Sequence, residues 1–79
     1  MWYVYILKSQ IDHNLYVGST SNIKRRIFEH NSGEVDSTKA RIPFALEAYI
    51  AVKNKDKAIE VERYFKTGSG KATLLKRIL

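Results

Sequence analysis

An apolar run dense in β-branched and aromatic side chains, Trp2-Tyr3-Val4-Tyr5-Ile6-Leu7, is followed by a second, Leu15-Tyr16-Val17, with a polar stretch containing Asp12-His13-Asn14 between them. Two such runs joined by turn-forming residues specify a β-hairpin. Strand periodicity puts Trp2, Val4 and Ile6 on one face and Tyr3, Tyr5 and Leu7 on the other, and an antiparallel register can bring Tyr5 near Tyr16. Gly18 closes the second strand.

Four good N-cap types, Ser19, Thr20, Ser21 and Asn22, then lead into a first helix from Ile23 to His30, ending near Asn31 or Gly33. Ile23 and Ile27 are its expected buried stripe. Residues 32–43 show no period and carry turn formers and the only proline, Pro43, so they read as a mobile connecting loop. Alternation resumes from Phe44 to Val52, a third strand with Phe44, Leu46, Ala48, Ile50 and Val52 on one side and Glu47 and Tyr49 on the other. Asn54 can cap a second helix over about 55–66, with Ala58, Val61 and Phe65 at helical spacing and Gly68 as its end. Ser69 can cap a third, apolar through Leu74, Leu75 and Ile78.

The expected fold is therefore α+β, and residues 1–79 suffice for one domain. An apolar share of 44% can build a core, since unaided folding usually fails only below about 40 residues. No cysteine is present, so disulfides and thiolate zinc sites are excluded and a reducing cytosol is the default compartment. The longest apolar run is far shorter than the roughly 20 residues a membrane span needs. Fourteen Lys+Arg against eight Asp+Glu give a charge of +6, and after Glu62 there are five bases (Arg63, Lys66, Lys71, Lys76, Arg77) and no acid. Such a balance favours an anionic partner, although surplus lysines also serve solubility alone.

Three features bear on chemistry. The tyrosine-bearing strands can be core or surface. Arg26 and His30, four apart, share a helix face beside Ile23 and Ile27, where a guanidinium wants an anion; phosphate suits its planar fork, and a nearby carboxylate is the alternative. Glu62 falls within the apolar pattern of its helix, so it must meet a metal, a donor or a cation such as Arg26 or a lysine. Other motifs fail on context. Gly68-Ser69-Gly70-Lys71 follows a helix and has Ala72 where a phosphate loop needs Ser or Thr. His13 and His30 lack ligand spacing for a shared metal.

Taken in order, the tyrosine strand, Tyr16-Val17-Gly18, Arg26, His30 and Ala58-Ile59-Glu60-Val61-Glu62-Arg63-Tyr64-Phe65-Lys66 resemble the GIY-YIG nuclease superfamily, most closely its small, single-domain branch, over essentially the whole chain. The resemblance implies a three-stranded, mainly antiparallel sheet flanked by three helices. It implies Tyr5, Tyr16, Arg26 and His30 as catalytic residues lining one cleft and Glu62 as ligand to a single Mg2+ or Mn2+. Either tyrosine or His30 is then the base. Two positions depart from the pattern: Tyr3 stands where many members have glycine, and no asparagine follows Glu62.

The leading expectation is a metal-dependent endonuclease acting on DNA, with Lys24, Arg25, Lys66 and Lys71 as backbone contacts and specificity coming from DNA shape or a protein partner. A non-catalytic nucleic-acid-binding module on the same scaffold is the alternative, motivated by the two departures. A protein-interaction domain is a third class, distinguished by an affinity that does not fall with salt.

Overall fold

The computed structural model describes residues 1–79. Its strands are β1 (Trp2–Ser9), β2 (Leu15–Thr20) and β3 (Phe44–Val52), and its helices α1 (Ile23–Asn31), α2 (Lys55–Phe65) and α3 (Gly68–Thr73). The sheet order is β2-β1-β3, antiparallel throughout, with β1 in the middle. Each face of β1 nucleates its own core. On one, Val4 and Ile6 meet Val17, Ala58, Phe65 and Leu74 from β2, α2 and the C-terminal segment. On the other, Tyr5 and Leu7 meet Phe44, with Tyr16, Ile27 and Ile42 packed around them. The sheet is thus a middle layer between α1 and the α2–α3 pair.

One extra residue in β3 decides which side chains reach which layer. Ile6 pairs with Ala48 but Leu7 pairs with Leu46, so Glu47 is bulged out of the ladder. A bulge shifts the two-residue alternation by one and swaps the faces beyond it. Ala48, Ile50 and Val52 pack with Val4 and Ile6 as expected. Phe44 instead joins Tyr5 and Leu7, and Leu46 lies with Tyr3 and Tyr49. The uniform five-residue apolar face expected for β3 is corrected accordingly.

The helix starts follow from side-chain oxygens accepting otherwise unpaired amides. Asn22 accepts from the Arg25 amide at 3.1 Å and Asn54 from the Lys57 amide at 2.9 Å. The cap of α3 is Thr67, accepting from Gly70 at 3.0 Å, so Ser69 is not the cap and Gly68 begins a helix instead of ending one. Gly70 is buried where α3 crosses the end of α2: a Cβ there would meet the Tyr64 carbonyl oxygen. After Thr73 the chain widens into a π-type turn, Leu74–Ile78, of which only Leu74 is buried; Leu75 and Ile78 stay exposed.

The connection expected to be mobile is tied down. It contains a short 3-10 turn, Lys39–Arg41. Ser9 Oγ donates to the Arg41 carbonyl at 2.6 Å, the Gln10 amide donates to the Pro43 carbonyl at 2.8 Å, and Arg41 Nε pairs with Asp12 at 2.9 Å. That guanidinium holds the Asp12 carboxyl below its usual range. The loop thereby presses Thr38, wholly buried, toward α1.

Candidate active site

Tyr5 is on the central strand, and its ring is nearly inaccessible, 1% exposed. It lies directly across Gly18 of β2, where a Cβ would collide with the Tyr5 hydroxyl. Only glycine lets the phenol pass at this close approach. The hydroxyl then meets two side chains from α1. Arg26 Nε donates to it at 3.4 Å, and it lies 3.0 Å from His30 Nε2.

The direction of these bonds follows from donor and acceptor chemistry. Arginine only donates, so the phenol oxygen accepts from Arg26. At the far end Thr38 Oγ1 donates to the Val35 carbonyl at 3.4 Å and lies 2.8 Å from His30 Nδ1. With that proton on the Val35 carbonyl the threonine oxygen accepts from Nδ1–H, the tautomer that leaves Nε2 a lone pair and gives the buried Tyr5 hydroxyl proton an acceptor. The chain runs from Arg26 through the Tyr5 hydroxyl and the His30 ring to Thr38, with the phenol proton pointed at His30.

Burial raises the Tyr5 pKa, opposed by the Arg26 hydrogen bond. Burial, and then the Arg26 charge, lowers that of His30. Both groups are neutral near pH 7. The His30 shift has a thermodynamic sign. Its folded-state pKa is below the unfolded 6.5, so between the two values the unfolded chain binds the extra proton. Stability from this group is full above 6.5 and is lost as pH falls below it, by at most about 1.4 kcal/mol per pH unit. A proton NMR titration of the His30 ring is expected to show a midpoint under 6.5; a midpoint at or above that value would contradict the burial argument.

Relative to the sequence expectation, His30 and Tyr5 lie beneath the cleft instead of lining it. The stripe of α1 is also different: Ile23 and Ile27 are only half-buried, and the one fully buried residue of the helix is His30. Tyr16 is half-buried, its ring 6.3 Å from that of Tyr5 and 5.0 Å, edge-on, from His30. Tyr16 opens on a separate hollow beside Lys66 and Lys71, and Arg26 reaches the surface elsewhere. With Arg25 it borders a depression that also includes Ser19, Ser21, Asn22 and Glu29. Glu29 bridges both arginines, at 3.1 Å from Arg26 and 3.4 Å from Arg25, leaving the trio with a surplus positive charge, and its pKa is lowered, chiefly by the Arg26 hydrogen bond.

Glu62 comes from α2 in the opposite layer and is not paired with Arg26. Ser19 Oγ donates to one carboxylate oxygen at 2.7 Å and Lys66 Nζ to the other at 2.8 Å. Ser19 is thus the link that brings Glu62 to the rim of the arginine depression. Of the expected backbone contacts, Lys66 is committed to Glu62, and Lys71 borders a separate hollow with Lys66 and Phe65. Lys24 and Arg25 are exposed on α1. Sequence reasoning missed Ser19, Glu29 and Thr38. Ser19 was visible only as a cap candidate and Thr38 only as loop, but Glu29 had a signal, its spacing of three and four from Arg26 and Arg25.

No group of three or more His, Asp or Glu side chains converges, so the residues do not fit an all-protein metal cage. They do fit a hard, hydrated divalent ion held through one carboxylate. Glu62 is 21% exposed, with one oxygen tethered to a hydroxyl and the other to the ammonium of a half-exposed lysine, which an ion would displace.

A sequence model of the GIY-YIG catalytic domain matches residues 1–76. A UPF0213 protein of Streptococcus agalactiae serotype V is 37% identical over 95% of this chain and 88% of its own length. A second, from Bacillus licheniformis, is 39% identical over 87% of this chain and 71% of its own. The solution NMR structure of a UPF0213 protein from Bacillus halodurans superimposes with a TM-score of 0.56 at 37% identity, covering 95% of this chain and 83% of that one.

Proposed function

The chain belongs to the GIY-YIG family, and from that premise we propose that it is a divalent-metal-dependent endonuclease hydrolysing phosphodiester bonds in DNA. The observation that carries this reading is the Tyr5 hydroxyl fixed between Arg26 Nε and the lone pair of His30 Nε2. A buried phenol resists becoming a phenolate, and a buried imidazole resists protonation, so a relay through both must be concerted. When Arg26 turns to the phosphate it uncovers the Tyr5 hydroxyl to the attacking water; as that water loses its proton to the Tyr5 oxygen, Tyr5 passes its own to His30, so no phenolate accumulates, and the short-lived imidazolium returns the proton through Tyr5 to solvent after cleavage. Thr38 keeps His30 in the accepting tautomer, and Tyr16 shields the ring from solvent.

Arg26 binds the non-bridging oxygens, exchanging Glu29 for phosphate, and stabilises the charge that develops on them. The new bond forms between the water oxygen and phosphorus. The bond to the leaving oxygen breaks, and that oxygen takes a proton from solvent. Glu62, oriented by Ser19, would hold one Mg2+ or Mn2+; when bound, the ion supplies charge neutralisation at the scissile phosphate.

The test is cleavage of supercoiled and branched DNA with Mg2+ or Mn2+ and with chelator, comparing wild type with Glu62→Gln. The variant keeps the acceptor for Ser19 but loses the charge, and is expected to cleave about 100-fold more slowly at limiting metal. Equal rates for the two proteins, or undiminished cleavage in chelator, would remove the metal-dependent reading, and no cleavage under any condition would remove the nuclease reading itself. The Lys66–Glu62 pair favours one second reading, a non-catalytic binding module in which that lysine permanently neutralises the carboxylate. It predicts no cleavage and DNA affinity that falls steeply with salt.

A further inference from the structure

A second depression adjoins the arginine site and has no part in the relay. It opens between α1 and β3, with a volume of about 450 Å³, and its walls include Tyr3, Tyr49, Leu46, Ile23, Ile27 and Lys24. That volume falls in the range of roughly 300–1,000 Å³ typical of small-ligand sites. Tyr49 is 56% exposed, and its ring stands edge-on to that of Tyr3 with centroids 6.0 Å apart. The β3 bulge turns Leu46 into this groove. Ser21 and Asn22 border both depressions, so the groove and the phosphate-binding arginines form one continuous surface.

We propose that this groove takes an unpaired nucleobase of the DNA strand whose phosphate lies at Arg26, which makes DNA carrying a bulged or splayed base the preferred substrate class. The proposal rests on the nuclease reading above. Three observations choose a nucleotide over another occupant. The walls are aromatic and aliphatic, which suits the flat π-face of a base regardless of sequence. The rim carries Lys24, which is exposed and in no ion pair, beside the arginine depression. The groove also continues into a site whose own chemistry calls for phosphate. A base in a regular duplex is stacked and paired and cannot enter, so only an unpaired one gains this contact.

The experiment uses the whole chain in chelator, so that binding is read without cleavage. Two probes are compared, a 20-base-pair duplex and the same duplex with a single bulged 2-aminopurine. Wild type is expected to bind the bulged probe about tenfold more tightly and to quench its fluorescence through stacking. Tyr49→Ala, at an exposed position, is expected to abolish the preference and the quenching while leaving affinity for the plain duplex unchanged. Equal affinity for both probes in wild type would overturn the groove assignment while leaving nucleic-acid binding intact. Failure to bind either probe would overturn both readings. A concentration-dependent dimer lost in Tyr49→Ala would overturn the proposal by assigning the groove to a second copy of the chain.

Discussion

Arg26→Ala is expected to lower the cleavage rate by about two to three orders of magnitude, the usual cost of losing a donor aimed at charge that develops during reaction. Its side chain is 36% exposed and its ion pair to Glu29 contributes no more than about 1 kcal/mol, so with the donor lost to Tyr5 the same change should cost only about 2 kcal/mol of stability. That contrast makes the result diagnostic. The substitution also leaves Glu29, already ionised, facing the phosphate with Arg25 as its remaining partner. Arg26→Lys is expected to recover only part of the rate, because an ammonium cannot hold two phosphate oxygens in a plane or donate through Nε to Tyr5. Single-turnover cleavage and urea unfolding of the same preparations decide the matter. Rate loss that tracks unfolding would reassign Arg26 to structure, and an unchanged rate would remove it from the site.

The largest stability effect is expected at Gly70→Ala. The added Cβ would fall against backbone, with the Tyr64 carbonyl carbon and Phe65 Cα also closer than 3 Å. No rotamer change can relieve a clash with main chain, so α3 must back away from α2 and loosen Phe65 and Leu74 from the core they share. A cost of about 3 kcal/mol or more follows, lowering the thermal midpoint by on the order of 15 °C in a domain of this size. Gly68→Ala supplies the control, since nothing lies within 4 Å of its Cβ position; it should be neutral or slightly stabilising through helix propensity. Equal melting of the two variants would contradict the close-approach argument.

Much of the architecture was legible because it is written in local patterns. The hairpin, the span of β3, and the asparagine caps of α1 and α2 follow from alternation, turn residues and cap chemistry alone. The bulge at Glu47 was not, since an unpaired residue leaves no mark on a single strand and exists only relative to β1. The cap of α3 was misplaced because Thr67 and Ser69 are both competent, and the close passage of Gly70 over Tyr64 decides between them. At the site, Arg26 and Glu62 stood out as charges within apolar stripes. Their partners did not: Ser19 is 43 residues from Glu62 in sequence, and the Tyr5–His30 bond spans 25. Burial reversed one assignment, since an amphipathic reading gives the interior of α1 to its isoleucines and the fold gives it to His30.

That arrangement has a mechanical corollary. With its sole deep anchor in the final turn, α1 is fastened like a lever at one end, the pivot being the imidazole itself. The least costly fluctuation of the helix lifts its first turn, and with it Arg25 and Arg26, while the phenol–imidazole contact stays seated on the middle strand. Amide hydrogen exchange should therefore be fast at residues 23–26 and slow at Tyr5. In the nuclease reading proposed above, the arginines assigned to phosphate can then admit and release a bulky polymer without disturbing the Tyr5–His30 contact beneath them.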